Sequence, residues 1–294
     1  MTDTRVPSRV FPRAHEEAEA ARNLLQTPQT MDPAYRLAFQ DTDFLLREDL
    51  RPVRFQLELL KPELLLDEAK IASTFVFYGS ARIPEPSKAD VLREAATDDY
   101  SKLVAERVIA KAKYYDVARE LARLASQCPR DLEGRRQFVV CSGGGPSIME
   151  AANRGAVDVG QETIGLNIVL PHEQTPNAYV TPSLSFQFHY FALRKMHFLL
   201  RARAVAVFPG GFGTFDETFE LLTLIQTGKV KPIPVLMYGR EFWERVVNFE
   251  ALAEEGVISR KDLNLFHFVE TAQEGWDYVR KWWRDRPLAD SLGG

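Results

Sequence analysis

The chain has 294 residues, 45% of them hydrophobic and 27% charged, with 37 Lys and Arg against 41 Asp and Glu and a formal charge of −4. That is the composition of an ordinary globular protein long enough for one large core or two modest ones, and the charge excludes a general electrostatic pull towards nucleic acid or an anionic membrane. Cys128 and Cys141 are too few for a disulfide framework and lack C-x-x-C spacing, and the five histidines show no H-E-x-x-H pattern, so neither a metal nor a cofactor is expected. No apolar run approaches a bilayer-spanning length. Arg5, Arg9 and Arg13 run straight into Glu16, Glu17 and Glu19 with no hydrophobic stretch between, unlike a targeting peptide, and the expected compartment is the cytoplasm.

Residues 1–70 read as an N-terminal helical extension. His15 to Leu25 is rich in Ala and Glu, Thr27 to Pro33 breaks it, and Phe39 to Leu66 carries leucines and aromatics between Pro52 and Pro62. Residues 71–294 read as one α/β domain. Its first strand, Thr74 to Tyr78, ends in Gly79-Ser80-Ala81-Arg82, and because first strands of doubly wound sheets deliver a ligand-facing turn here, Gly79, Ser80 and Arg82 are expected to line a site. A charged loop follows from Ile83 to Asp99, then one long amphipathic helix over Tyr100 to Ser126. Strand Phe138 to Cys141, helix Ser147 to Asp158 and strand Glu162 to Ile168 come next, before an irregular loop, Leu170 to Pro182, that holds His172, Glu173 and Asn177. Ser185 to Tyr190 alternates as a strand and passes into a helix, Phe191 to Arg203. Ala204 to Phe208 is a strand, Thr214 to Thr227 a helix, Ile233 to Tyr238 a strand and Glu241 to Glu254 a helix. A short strand, Leu265 to Val269, and a Trp-rich helix, Ala272 to Arg284, close the domain. This alternation predicts a Rossmann-like, doubly wound, mostly parallel sheet with helices on both faces.

Two strand-to-helix turns are glycine-rich. Ser142-Gly143-Gly144-Gly145-Pro146-Ser147 follows one strand, and Pro209-Gly210-Gly211-Phe212-Gly213-Thr214 follows another. Such turns let an anion approach backbone N–H groups at the positive end of a helix. Neither fits G-x-G-x-x-G or the P-loop, and on spacing alone both also suit ordinary tight turns. Each puts a hydroxyl residue three before a glutamate, Ser147 to Glu150 and Thr214 to Glu217, the spacing of a capping box.

The pair Arg194-Lys195 followed by P-G-G-F-G-T-F-D-E over Pro209 to Glu217 resembles the Lonely Guy family of nucleoside 5′-monophosphate phosphoribohydrolases, historically labelled lysine decarboxylases. With the Gly79 to Arg82 turn and the triple glycine at Gly143 to Gly145, the resemblance spans roughly residues 71–270. It implies hydrolysis of the N-glycosidic bond of a nucleotide such as AMP, on a Rossmann-like fold, by a homodimer with its site near the subunit interface. It implies Arg194 and Glu217 as the catalytic pair, with Lys195, Gly210, Gly211, Phe212, Gly213, Thr214 and Thr223 around the nucleotide and Glu173 at the ribose. Gly79, Ser80 and Gly143 to Gly145 complete the expected binding set. Phe191-Ala192 replaces the Met-His of plant-type members, and Ser147-Ile148-Met149-Glu150 replaces their G-L-M-G. These departures and the N-terminal extension place the chain nearer the longer bacterial members. The same fold and turns also suit a nucleotide or phosphorylated-cofactor carrier or sensor that does no hydrolysis.

Overall fold

The computed structural model describes residues 11–170 and 175–286. The chain divides into two compact units, Met1–Glu58 and Leu59–Gly294. The first holds short helices α1 (Ala14–Ala20), α2 (Pro28–Met31) and α3 (Thr42–Leu45), and α4 (Arg51–Glu68) begins in it and ends in the second. None of the first unit's described residues is buried, so this segment has no core of its own. Pro52 falls in the first turn of α4, where its missing N–H costs nothing, whereas Pro62 lies inside the helix and is buried.

The second unit is built on seven strands, β1 (Thr74–Tyr78), β2 (Val139–Ser142), β3 (Ile164–Ile168), β4 (Ser185–Phe188), β5 (Ala202–Val207), β6 (Val235–Tyr238) and β7 (His267–Val269). Their order is β4-β3-β2-β1-β5-β6-β7, and every pairing is parallel. All five residues of β1 are buried, as expected of a central strand covered on both faces. Between them run α5 (Ala89–Ala95), α6 (Asp99–Ile109), α7 (Lys113–Ser126), α8 (Ile148–Val157), α9 (Phe191–Leu200), α10 (Phe212–Gln226), α11 (Arg240–Val246), α12 (Phe249–Glu254) and α13 (Ala272–Asp285). This is the Rossmann-like, doubly wound arrangement. The strand order reverses between β1 and β5, and the crevice outside their C-terminal ends is where such sheets bind ligands.

Alternate residues of β1 face opposite layers. Phe75 and Phe77 enter the larger core with Tyr115 and Leu121 of α7, Ile148 of α8 and Trp276 of α13. Tyr78 points the other way and meets the edge of Phe198 of α9, with ring centroids 5.2 Å apart. Helices α7 and α8 approach closely because Ala118, Ala122 and Ala125 face Ala152, Gly155 and Ala156.

The long helix expected over Tyr100 to Ser126 is two, and the loop before it contains α5. Asp98 starts α6 through reciprocal bonds with Ser101, at 2.9 and 3.0 Å, and the chain turns at Ala110–Ala112 so that Tyr114 and Tyr115 reach the core. The helix expected over Glu241 to Glu254 also divides, because Asn248 accepts a bond from the Ala251 N–H (3.0 Å) and begins α12.

At Gly155 an added Cβ would run into the Arg119 backbone carbonyl oxygen. Gly155→Ala is therefore expected to destabilise the protein by about 1–3 kcal/mol although alanine is the better helix former. Thermal melts should show Tm falling by roughly 2–4 °C per kcal/mol; an unchanged or raised Tm would show that α7 and α8 yield freely.

Candidate active site

At the β1/β5 reversal the chain forms a cavity of about 650 Å³. Its walls come from the turn after β1, from Met149 of α8, from Arg194 of α9 and from the start of α10. Helix α10 begins at Phe212 with Gly211 as its cap, three residues earlier than the capping-box spacing implies. Thr214 is therefore inside the first turn and Glu217 in the second, and no capping box forms there. The buried Thr214 side chain tucks beneath Gly210, where a Cβ would strike it. Gly211 and Gly213 border open space, and Phe212 is 97% exposed at the rim. The first N–H groups of α10, which lack intrahelical partners, open onto this space.

Arg194 and Glu217 meet at the base of the cavity, Nη1 to Oε1 at 3.5 Å, with side chains only 12% and 13% exposed. Arg194 is held from three sides. Its Nε–H donates to the Leu166 carbonyl in the middle of β3 (2.7 Å), its guanidinium lies over the Phe198 ring (5.1 Å), and Gly143 leaves it room, since a Cβ there would come within 2.7 Å of Nη2. Burial pushes the Glu217 carboxyl up to about 7; the Arg194 cation opposes this, and Asp216 and Glu220 add to it. Burial likewise holds the Tyr78 hydroxyl and the Cys141 thiol beside this pair far above their usual ranges, so Cys141 is no thiolate nucleophile at neutral pH.

The second glycine-rich turn serves as scaffold. Gly144 has φ +72°, and its N–H donates to Ser142 Oγ (3.0 Å). The Gly144 and Gly145 carbonyls accept from the Asn177 backbone N–H (2.8 Å) and Asn177 Nδ2 (2.9 Å). The capping box expected from Ser147 to Glu150 is absent. Ser147 takes φ +68° and donates its hydroxyl to the Ile83 carbonyl, while Glu150 accepts from the Tyr115 hydroxyl (3.0 Å). A non-glycine residue in that conformation is held there by its surroundings.

Of the residues singled out from sequence, Gly79, Ser80, Arg82, Arg194, Gly211, Phe212, Gly213, Thr214 and Glu217 line the cavity. Gly143 and Gly210 stand directly behind it. Lys195 does not face it: Nζ lies 3.2 Å from both Asp216 and Glu220 and borders a neighbouring cavity of about 680 Å³ with Met196, Leu200 and Leu224. Burial works against its charge, and the bonds to Asp216 and Glu220 outweigh that, so it remains an ammonium ion. Thr223 is exposed, bonded to the Phe219 carbonyl (2.8 Å) and away from the cavity walls. Glu173 lies outside the described residues. Sequence reading passed over Met149, Tyr78 and Phe198. Phe198, four residues after Arg194 on a helix, carried a usable signal in that spacing.

Residues 149–279 match the protein family described as "Possible lysine decarboxylase". A "Probable cytokinin riboside 5′-monophosphate phosphoribohydrolase" of Oryza sativa subsp. japonica is 25% identical over 180 residues, covering 58% of this chain and 78% of its own length. A cytokinin riboside 5′-monophosphate phosphoribohydrolase of Arabidopsis thaliana is 26% identical over 167 residues, covering 56% and 73%. Among solved structures, the Moco carrier protein from Chlamydomonas reinhardtii aligns with a TM-score of 0.41 at 16% identity, over 72% of this chain and 99% of that one. Among the described residues no helix is long and apolar enough to cross a membrane. The matched stretch carries the Pro209 to Glu217 motif complete and the Arg-Lys pair before it, and over residues 149–279 the chain resembles the Lonely Guy, lysine-decarboxylase-like family.

Proposed function

We propose that this protein hydrolyses the N-glycosidic bond of a nucleoside 5′-monophosphate, giving the free base and ribose 5-phosphate. The observation that carries the reading is Glu217: a carboxylate 13% exposed, pushed up to about 7, set against Arg194 at 3.5 Å and facing a cavity at a helix N-terminus. Cleavage passes through an oxocarbenium-like ribose, which needs a phosphate anchor, a carboxylate near C1′ and help for the departing base. The N-terminal turn of α10, Gly211 to Thr214, takes the phosphate and fixes the ribose by remote binding energy. Glu217 in its ionised form offsets charge at C1′ and accepts a proton from the attacking water, whose oxygen bonds C1′ as the C1′–N bond breaks. Arg194 orients the substrate and stabilises negative charge on the leaving base; its guanidinium is too weak an acid to donate a proton. Lys195, charged and paired, is not the free amine that Schiff-base chemistry with pyridoxal phosphate requires.

A homodimer is part of this proposal. Met196 and Leu200, one turn apart on α9, are 46% and 40% exposed, which supports a face covered by a second copy. Leu200→Glu is expected to halve the mass measured by light scattering, and a monomeric parent protein would remove this part of the reading.

Incubation with AMP, GMP, IMP, CMP and UMP, followed by chromatography, is expected to show free base and ribose 5-phosphate from at least one. Glu217→Gln should lower the rate by about 10²–10⁴-fold with the fold retained. AMP binding without base release from any nucleotide would instead favour a carrier or sensor. The rate should rise through about pH 7 and level off as Glu217 ionises.

Stability should show the opposite trend. A carboxyl raised in the folded state contributes stability that is complete below its unfolded value near 4.5 and is lost as pH rises through about 7. Relative to the parent protein, Glu217→Gln should therefore gain in Tm between pH 5 and 8, by the equivalent of about 3 kcal/mol at most. Parallel Tm curves for the two proteins would show that Glu217 titrates normally.

A further inference from the structure

We propose that Arg82 is the residue that recognises the phosphate of the bound nucleotide. This rests on the nucleotide reading above and assigns the charge that the Arg194-Lys195 pair leaves unsupplied.

A phosphate monoester carries about −1.5 to −2 at neutral pH, and a helix N-terminus offers the equivalent of only about +0.5. The rest must come from side chains lining the cavity. Arg194 is committed: its charge is set against Glu217, its Nε–H is bonded to the Leu166 carbonyl, and its plane lies on Phe198. Drawing it onto a phosphate would strand the buried Glu217 carboxylate. Lys195 is bound to two carboxylates and borders a different cavity. Arg82 lines the cavity, is exposed, and among the described residues its guanidinium has no ion-pair partner.

The backbone that carries Arg82 is fixed between the two glycine-rich turns. The Ser80 N–H donates to the Pro209 carbonyl (3.1 Å), tying the loop to the turn before α10. The Ile83 carbonyl accepts the Ser147 hydroxyl, tying it to the turn before α8, and Glu85 pairs with Arg154 at 3.0 Å. Within this span the Arg82 N–H donates to Ser80 Oγ (3.0 Å). The strained φ of Ser147 thus serves the Arg82 loop as well as its own helix. Ala81 and Arg82 form the wall shared with a second, mainly apolar cavity of about 920 Å³ beneath α5 and α6. The result is a fixed main chain bearing one exposed guanidinium at the cavity, which can grip two phosphate oxygens at once where an ammonium acts as a point charge.

The test is calorimetric binding, at fixed salt and with Glu217 intact so that Arg194 keeps its partner, of formycin 5′-monophosphate and of formycin, isosteres of AMP and adenosine whose C–C bond to the base cannot be hydrolysed. Arg82→Gln is expected to weaken binding of the monophosphate by about ten- to a hundredfold and to leave the nucleoside unchanged, with Arg82→Lys between. Because Arg82 is exposed, neither change should unfold the protein, and unchanged melting curves will verify that. A loss of monophosphate affinity below twofold in Arg82→Gln, or an equal loss for the nucleoside, would overturn the assignment. So would a parent protein that binds the monophosphate no better than the nucleoside. Parent protein that binds AMP without releasing base would end the hydrolase reading while leaving this comparison intact.

Discussion

The buried Arg194–Glu217 contact is the constraint on which the rest of the site depends. A carboxylate removed from water is expensive unless a cation stands beside it, and at 3.5 Å the pair makes an ion contact without a full hydrogen bond. The compensation is incomplete, and Glu217 retains its proton into the neutral range. One strand, one turn and one aromatic ring supply what keeps the partner in place. The middle of β3 provides the Leu166 carbonyl, the turn after β2 provides the gap at Gly143, and the Phe198 ring packed against β1 provides the face on which the guanidinium lies. Loosening any of them moves Arg194 and with it the acidity of Glu217.

The two glycine-rich turns look alike in sequence and do different work. The turn after β5 uses its glycines for room, with open space at Gly211 and Gly213 where a ligand can approach the main chain. The turn after β2 uses them for shape. Gly144 needs a positive φ, and Gly143 must keep clear of Arg194. The loop after β1 is bonded to both, so three strand ends at the reversal of the sheet act as one support. The Lys195 side chain leaves this support for another side of α9, because residues adjacent on a helix point about 100° apart.

Much of the domain was legible from local chemistry. Apolar runs closed by glycine or proline gave all seven strands within a few residues, and Thr74 to Tyr78 matches its observed span. Helix interruptions were less readable. The break between α6 and α7 comes from burial of Tyr114 and Tyr115, which no period in the sequence expresses, and the break before α12 depends on one asparagine cap. The two capping boxes failed for different reasons: the Ser147 hydroxyl goes to the Ile83 carbonyl instead, and α10 starts at Phe212, which leaves Thr214 inside its first turn.

The sequence by itself determined the fold class and the motif residues, because hydrophobic period, turn chemistry and the Pro209 to Glu217 pattern are all local properties. Only the tertiary structure decided which motif residues face one cavity. It brought Arg194 to Glu217 from elements separated by β5 and turned Lys195 and Thr223 elsewhere. Direction of a side chain and depth of burial are set by strand order and by what packs on the other side, and neither is encoded in spacing along one segment.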